Sequence, residues 1–130
     1  MSNGRAGIAS KQYRMQYLKS KSWHARRSRW FEQNPDQHQC CVCLRREERA
    51  VRRLELHHIT YRGVTQLLNG KWVANERDDE LLPMHALCHQ LVHQLMDDDG
   101  ALRYMRSRKE ATLQAVAKVR ARLRTLIGAR

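Results

Sequence analysis

No apolar run in this chain approaches the roughly 18–20 residues needed to cross a bilayer, and the opening MSNGRAGIASKQYR has no apolar middle of the kind that marks a signal peptide. A spanning or secreted protein is therefore not expected, and a reducing, cytoplasmic setting is. Aromatic residues are scarce, at 6% with a single Phe; this argues against a large enclosed cavity and places any chemistry near the surface. Acidic residues are also few, 13 against 25 Lys and Arg, for a formal charge of +12. No internal repeat or low-complexity tract accompanies the arginine bias. At 130 residues with 42% hydrophobic content, one small domain is expected.

The positive charge lies at the two ends. Residues 1–33 and 101–130 together carry +15, whereas residues 34–100 carry −3. Basic arms around a near-neutral centre suit a polyanion, and nucleic acid is the first candidate; the alternative is a solvated basic surface that keeps the protein soluble. Candidate phosphate contacts are Arg26, Arg27 and Arg29 in the first arm and Arg103, Arg106, Arg120, Arg122 and Arg124 in the second.

Residues 1–9 are small and polar and are expected to form a disordered tail. Tyr13, Tyr17 and Leu18 fall at helical spacing, and Ser20 reads as the N-cap of a second helix reaching about Gln33, with Trp23, Trp30 and Phe31 turned inward. Asn34 and Pro35 end it. A cysteine-bearing turn over 40–50 leads to residues 52–59, which alternate as a strand does: Leu54, Leu56 and His58 on one face, Glu55 and His57 on the other. Residues 60–80 read as loop, with a weak hairpin signal at Lys71 to Ala74. Pro83 then precedes a helix carrying Leu87, Leu91 and Leu95, which ends near Asp97 to Gly100. A last basic helix over 101–128 has Leu102, Met105, Leu113, Val116, Leu123 and Ile127 as its apolar stripe.

Four cysteines in a reducing compartment favour metal ligation over disulfides. Cys40-x-x-Cys43 and His85-x-x-Cys88 are two tight pairs of soft and borderline donors, the pattern that suits tetrahedral zinc. Cys41 is a spare thiol in this scheme. His89 and His93, four apart on a helix, project from one side and suit a second cation. His57 and His58 face opposite sides of their strand, so at most one is a direct ligand while the other is left for proton transfer. Five of the seven histidines lie within residues 57–93.

Cys40-x-x-Cys43, LELHHITY at 54–61 and DELLPMHALCHQLVH at 79–93 together resemble the HNH endonuclease family. The likeness is to its zinc-containing ββα-metal branch, common in bacteriophages and bacteria, where a CxxC turn precedes HHxTY and a final LCxxCHxxxH. Tyr17-Leu18-Lys19-Ser20 with Trp23 is similar to the YLxSxxW opening of that branch, so the resemblance spans residues 17–93. It implies an α+β fold: a small ββα-metal (His-Me finger) core over 38–97 with a structural zinc knuckle, N-terminal helices over 10–33 and a long basic C-terminal helix. It implies hydrolysis of DNA phosphodiester bonds. His58 matches the general base and His57 the ligand of the catalytic divalent ion. His89 matches its helical partner, His93 an additional ligand spaced as in nuclease colicins, and Cys40, Cys43 and Cys88 zinc ligands. The implied cofactors are structural Zn²⁺ and catalytic Mg²⁺ or another divalent ion such as Mn²⁺ or Ni²⁺.

The chain departs from the pattern twice. Met84-His85 stands where a cysteine is expected, which makes the zinc set Cys40, Cys43, His85 and Cys88. Glu80 stands where the family asparagine is expected, as a catalytic residue that either ligates the ion or orients His58, with Asn75 in reserve. Glu80 also favours an alternative, a catalytically weakened, zinc-stabilised nucleic-acid-binding module. A third class is an interaction protein that homodimerises through the C-terminal stripe.

Overall fold

The computed structural model describes residues 11–46, 53–104 and 107–128. In chain order the elements are α1 (Lys11–Leu18), α2 (Lys21–Gln33), β1 (Leu54–His58), β2 (Val64–Gln66), β3 (Trp72–Ala74), β4 (Leu81–His85), α3 (Ala86–Asp98), α4 (Gly100–Tyr104) and α5 (Arg108–Gly128), with short 3-10 turns at Pro35–Gln37 and Asp78–Glu80. The fold is α+β. The chain divides into two compact units, one formed by residues up to Pro35 with Thr60–Leu81, the other by Asp36–Ile59 with Leu82 onward. The expected disordered tail, Met105 and Arg106 lie outside the described residues.

In the first unit, one serine sets the helical geometry. The Ser20 hydroxyl donates to the Tyr17 carbonyl at 2.6 Å and accepts from the Trp23 N–H at 3.1 Å, so it closes α1 and caps α2. Tyr17, Trp23 and Trp30 are buried behind it. Within residues 60–80, otherwise read as loop, the hairpin strand signalled at Lys71 to Ala74 is present, and in its antiparallel pairing Val64 meets Ala74 and Gln66 meets Trp72. Gly70, at φ +87°, supplies the left-handed residue of its turn. Gly63 is required by close approach, since a Cβ there would sit 2.3 Å from the Asn75 carbonyl oxygen. The Ser22 hydroxyl ties α2 to the Trp72 carbonyl at 2.7 Å.

Arg26 is the buried charge of this unit. Its guanidinium donates to the Glu76 carbonyl at 2.8 and 3.1 Å and to Asp78 Oδ1 at 2.6 Å. It shares the inward stripe of α2 with Trp23 and Trp30, so its expected place among the phosphate contacts is corrected: at 3% exposure it is a structural cation. Arg27 and Arg29 do lie on the exposed face.

In the second unit β1 pairs with β4, and α3 follows β4 directly. The strand β4 was not expected, because Pro83 sits within it. Proline lacks the N–H of a ladder residue but keeps its carbonyl, and that carbonyl accepts from the Cys41 N–H at 2.9 Å. The inward face of α3 is turned one residue from expectation. Cys88, Val92 and Met96 are buried, while Leu87 is exposed and Leu91 and Leu95 are intermediate. Pointing Cys88 inward fixes that register, since i+4 and i+8 must follow it.

The single long C-terminal helix is also corrected. Asp99 Oδ1 accepts from the N–H groups of Ala101 and Leu102, starting α4. Ser107 then caps α5, its hydroxyl accepting from the Glu110 N–H at 3.1 Å. α5 packs on α3 through the buried residues Ala111, Thr112, Ala115, Val116 and Val119, small or β-branched side chains that let two helices approach. Of the stripe proposed for dimerisation, Leu102 and Val116 are therefore buried within the unit and Leu113 is half exposed.

Candidate metal centres

Cys40, Cys43, His85 and Cys88 bring one donor atom each to a cluster in which all lie within 4.8 Å of one another. The turn at 40–43 does half of this work: Cys40 Sγ accepts from the Val42 and Cys43 N–H groups at 3.4 and 3.5 Å. The β4–α3 junction does the rest, because His85 ends the strand and Cys88 lies in the first turn of the helix. His85 Nδ1 stands 3.2 Å from Cys43 Sγ. All four cysteines are free thiols.

The electrostatics separate these thiols. Desolvation raises the Cys40 pKa, but the N–H groups of Cys43, His85 and Val42 outweigh it and hold the thiol below its ordinary value. Burial pushes Cys88 up, with the Cys40 charge adding to it. A cation reverses such a penalty by taking the thiolates as ligands. Donors around tetrahedral zinc lie about 3.3–3.8 Å apart, so no pair within the 4.8 Å cluster needs to close by more than about 1.5 Å. Cys41 stands outside it as a thiol pushed up to about 12 by burial, with the neighbouring Cys40 charge adding to the shift. Its carbonyl accepts from Arg120. Arg120 therefore braces the cysteine turn, whereas Arg122 and Arg124 are exposed. Arg106 and the side chain of Arg103 lie outside the described residues.

The second cluster holds His57, His89 and His93, again with donor atoms within 4.8 Å. His89 Nε2 and His93 Nε2 face each other at 3.0 Å. His89 Nδ1 meets Glu55 Oε1 at 2.8 Å, and His57 Nε2 meets Thr112 Oγ1 at 2.8 Å. The remaining nitrogen of His57, Nδ1, is buried with no hydrogen-bond partner. Burial chiefly, then the Arg108 charge and the neighbouring His89, His93 and His58, hold the His57 pKa well below its ordinary value, which favours the neutral ring. Neutral imidazole is the ligand form, and an orphaned buried nitrogen on a ring whose centroid lies 5.2 and 4.9 Å from those of His89 and His93 is what a cation would satisfy. Three donors leave a fourth position open.

Glu55 and Thr112 are not among the site residues expected from the sequence. Glu55 carried a signal, since strand alternation already placed it on the face of His57. Thr112 carried none, because only the packing of α5 brings it 55 positions back to the strand.

His58, on the opposite face of β1, is 2% exposed, and its carbonyl accepts from Arg108 Nε at 2.9 Å. Glu80 belongs to the first unit. One carboxylate oxygen accepts from Arg62 at 2.7 Å and the other from the Arg77 N–H at 2.8 Å. Asn75 is in that unit too, its N–H donating to the Gly63 carbonyl.

No helix among the described residues is long and apolar enough to cross a membrane. Compared with known proteins, the chain matches no family model, no curated protein and no solved structure. The two clusters define a polypeptide able to hold two metal ions, one in a closed Cys3His set and one in an open three-histidine set.

Proposed function

We propose that this protein is a metal-dependent DNA endonuclease of the HNH kind, with β1, β4 and α3 as its ββα-metal core and a structural zinc on Cys40, Cys43, His85 and Cys88. The observation that carries this reading is the convergence of His57, His89 and His93 beside a second strand histidine, with Thr112 and Glu55 on the outer nitrogens of two of them. Closed four-donor sites build structure, whereas sites with an open position do chemistry.

His57, His89 and His93 would hold a divalent ion such as Mg²⁺, Mn²⁺ or Ni²⁺ through ring nitrogens. Once bound, that ion supplies positive charge to the scissile phosphate and to the leaving 3′ oxygen. His58 is the general base, the side chain that would take a proton from the attacking water. Arg27, Arg29, Arg122 and Arg124 supply sequence-independent phosphate contacts, so affinity falls steeply with salt. Incubation of supercoiled plasmid with each of the three ions tests the activity. Wild type is expected to nick with at least one ion, and His58→Ala to be slower by about 100-fold or more. Absence of nicking with every ion, or equal nicking by the variant, overturns it.

A second reading, a zinc-stabilised nucleic-acid-binding module with weakened catalysis, is favoured by the burial of His58 and by the engagement of both Glu80 oxygens. Salt-dependent DNA binding with no nicking would select it.

A further inference from the structure

Metal-ligating histidines work through one nitrogen, and the partner of the other nitrogen decides which. Around the three-histidine cluster those partners differ. His89 gives Nδ1 to the Glu55 carboxylate and turns Nε2 toward His93. His57 is reversed, with Nε2 spent on Thr112 and Nδ1 left as the buried nitrogen without a partner.

The Thr112 hydroxyl has one proton to give. Its oxygen lies 3.8 Å from Met96 Sδ, a thioether that can only accept. With the hydroxyl proton directed to sulfur, Oγ1 must accept from His57, which places the imidazole proton on Nε2 and leaves a bare lone pair on Nδ1. The opposite arrangement, Thr112 donating to Nε2, would put an N–H on Nδ1, a donor with no acceptor in a fully buried site. Both Thr112 and His57 are 0% exposed, so water does not compete for the choice. Thr112 Oγ1 is held by its place on the buried face of α5, and Met96 by its place on the buried face of α3.

Resting on the metal-site reading above, we propose that Thr112 is a positioning residue. Relayed from Met96, its hydroxyl fixes His57 as the Nε2–H tautomer and so makes Nδ1 the ligating atom. The site then mixes one Nδ1 donor, His57, with two Nε2 donors, His89 and His93, and α5 becomes part of the metal site without contributing a ligand.

The test uses the full-length protein, ¹⁵N-labelled and loaded with one equivalent of zinc to fill the cysteine-rich site. Long-range ¹H–¹⁵N correlation of the His57 ring reads its tautomer, and calorimetric titration with Ni²⁺ reads affinity at the histidine site. Wild type and Thr112→Ser are expected to show His57 as the Nε2–H tautomer. Thr112→Val, nearly isosteric and checked for an unchanged thermal melt, is expected to lose that single tautomer and to bind Ni²⁺ about 10- to 100-fold more weakly. A wild-type His57 protonated on Nδ1, or a Thr112→Val protein with wild-type tautomer and affinity, overturns the proposal. These readouts need no DNA cleavage, so a protein that fails to nick plasmid yet shows them loses the nuclease reading and keeps this one.

Discussion

The two candidate metal sites share the helix α3 yet are built on opposite plans. The cysteine cluster takes four donors from two tight local turns, and backbone N–H groups tune one of its thiols. The histidine cluster takes three donors from a strand and a helix, and side chains orient it: Glu55 from the same strand and Thr112 from α5. A site closed by local turns gains its rigidity with the metal. A site oriented by side chains from packed elements has its geometry before any ion arrives, and it keeps a position open. Adjacent helix residues, Cys88 and His89, serve the two plans because they point about 100° apart.

The largest expected effect lies on the cysteine side. Structural zinc is worth about 10–16 kcal/mol in small domains, comparable with the whole stability of a typical fold at about 5–15 kcal/mol. Cys88→Ser, or a strong chelator, should therefore abolish the cooperative thermal transition seen by circular dichroism at 222 nm; a chelated protein that melts unchanged would erase the distinction between the plans. His93→Ala should do the reverse. Its melt should move little, by about 1 kcal/mol or less, as for most substitutions outside a core, while metal stoichiometry by native mass spectrometry falls from two to one. Glu55→Gln should weaken Ni²⁺ binding at the histidine site about 10- to 100-fold and leave zinc retention intact, measured by competition with a coloured chelator. Smallest is Arg122→Ala with Arg124→Ala: metal content and melting should not change, and the salt slope of DNA binding should fall by about 1 per residue.

Much of this plan was readable from residue spacing. The pairs Cys40/Cys43, His85/Cys88 and His89/His93 are local, and local spacing survives whatever the rest of the chain does. Ser20 as an N-cap and the alternation of Glu55 and His57 are local in the same way. What spacing did not carry was long-range or contrary to propensity. Pro83 hid a strand, because its value there is the carbonyl it offers to Cys41. Leu87, Leu91 and Leu95 mimicked the buried face of α3, but the cysteine that must meet the cluster set the register one residue on. Arg26 read as a DNA contact because its charge was visible and the Glu76 carbonyl and Asp78 carboxylate that receive it, some 50 residues away, were not. Thr112 was silent for the same reason.

The open histidine cluster is the proposed site of DNA cleavage. The most direct test is the rate of plasmid nicking over a series of divalent-ion concentrations, for wild type and His93→Ala, with the cysteine site zinc-loaded in both. The wild-type rate is expected to saturate at the ion concentration that fills the histidine site, and the variant's rate to be indistinguishable from background. Equal nicking by both proteins, or none by wild type with Mg²⁺, Mn²⁺ or Ni²⁺, would contradict it.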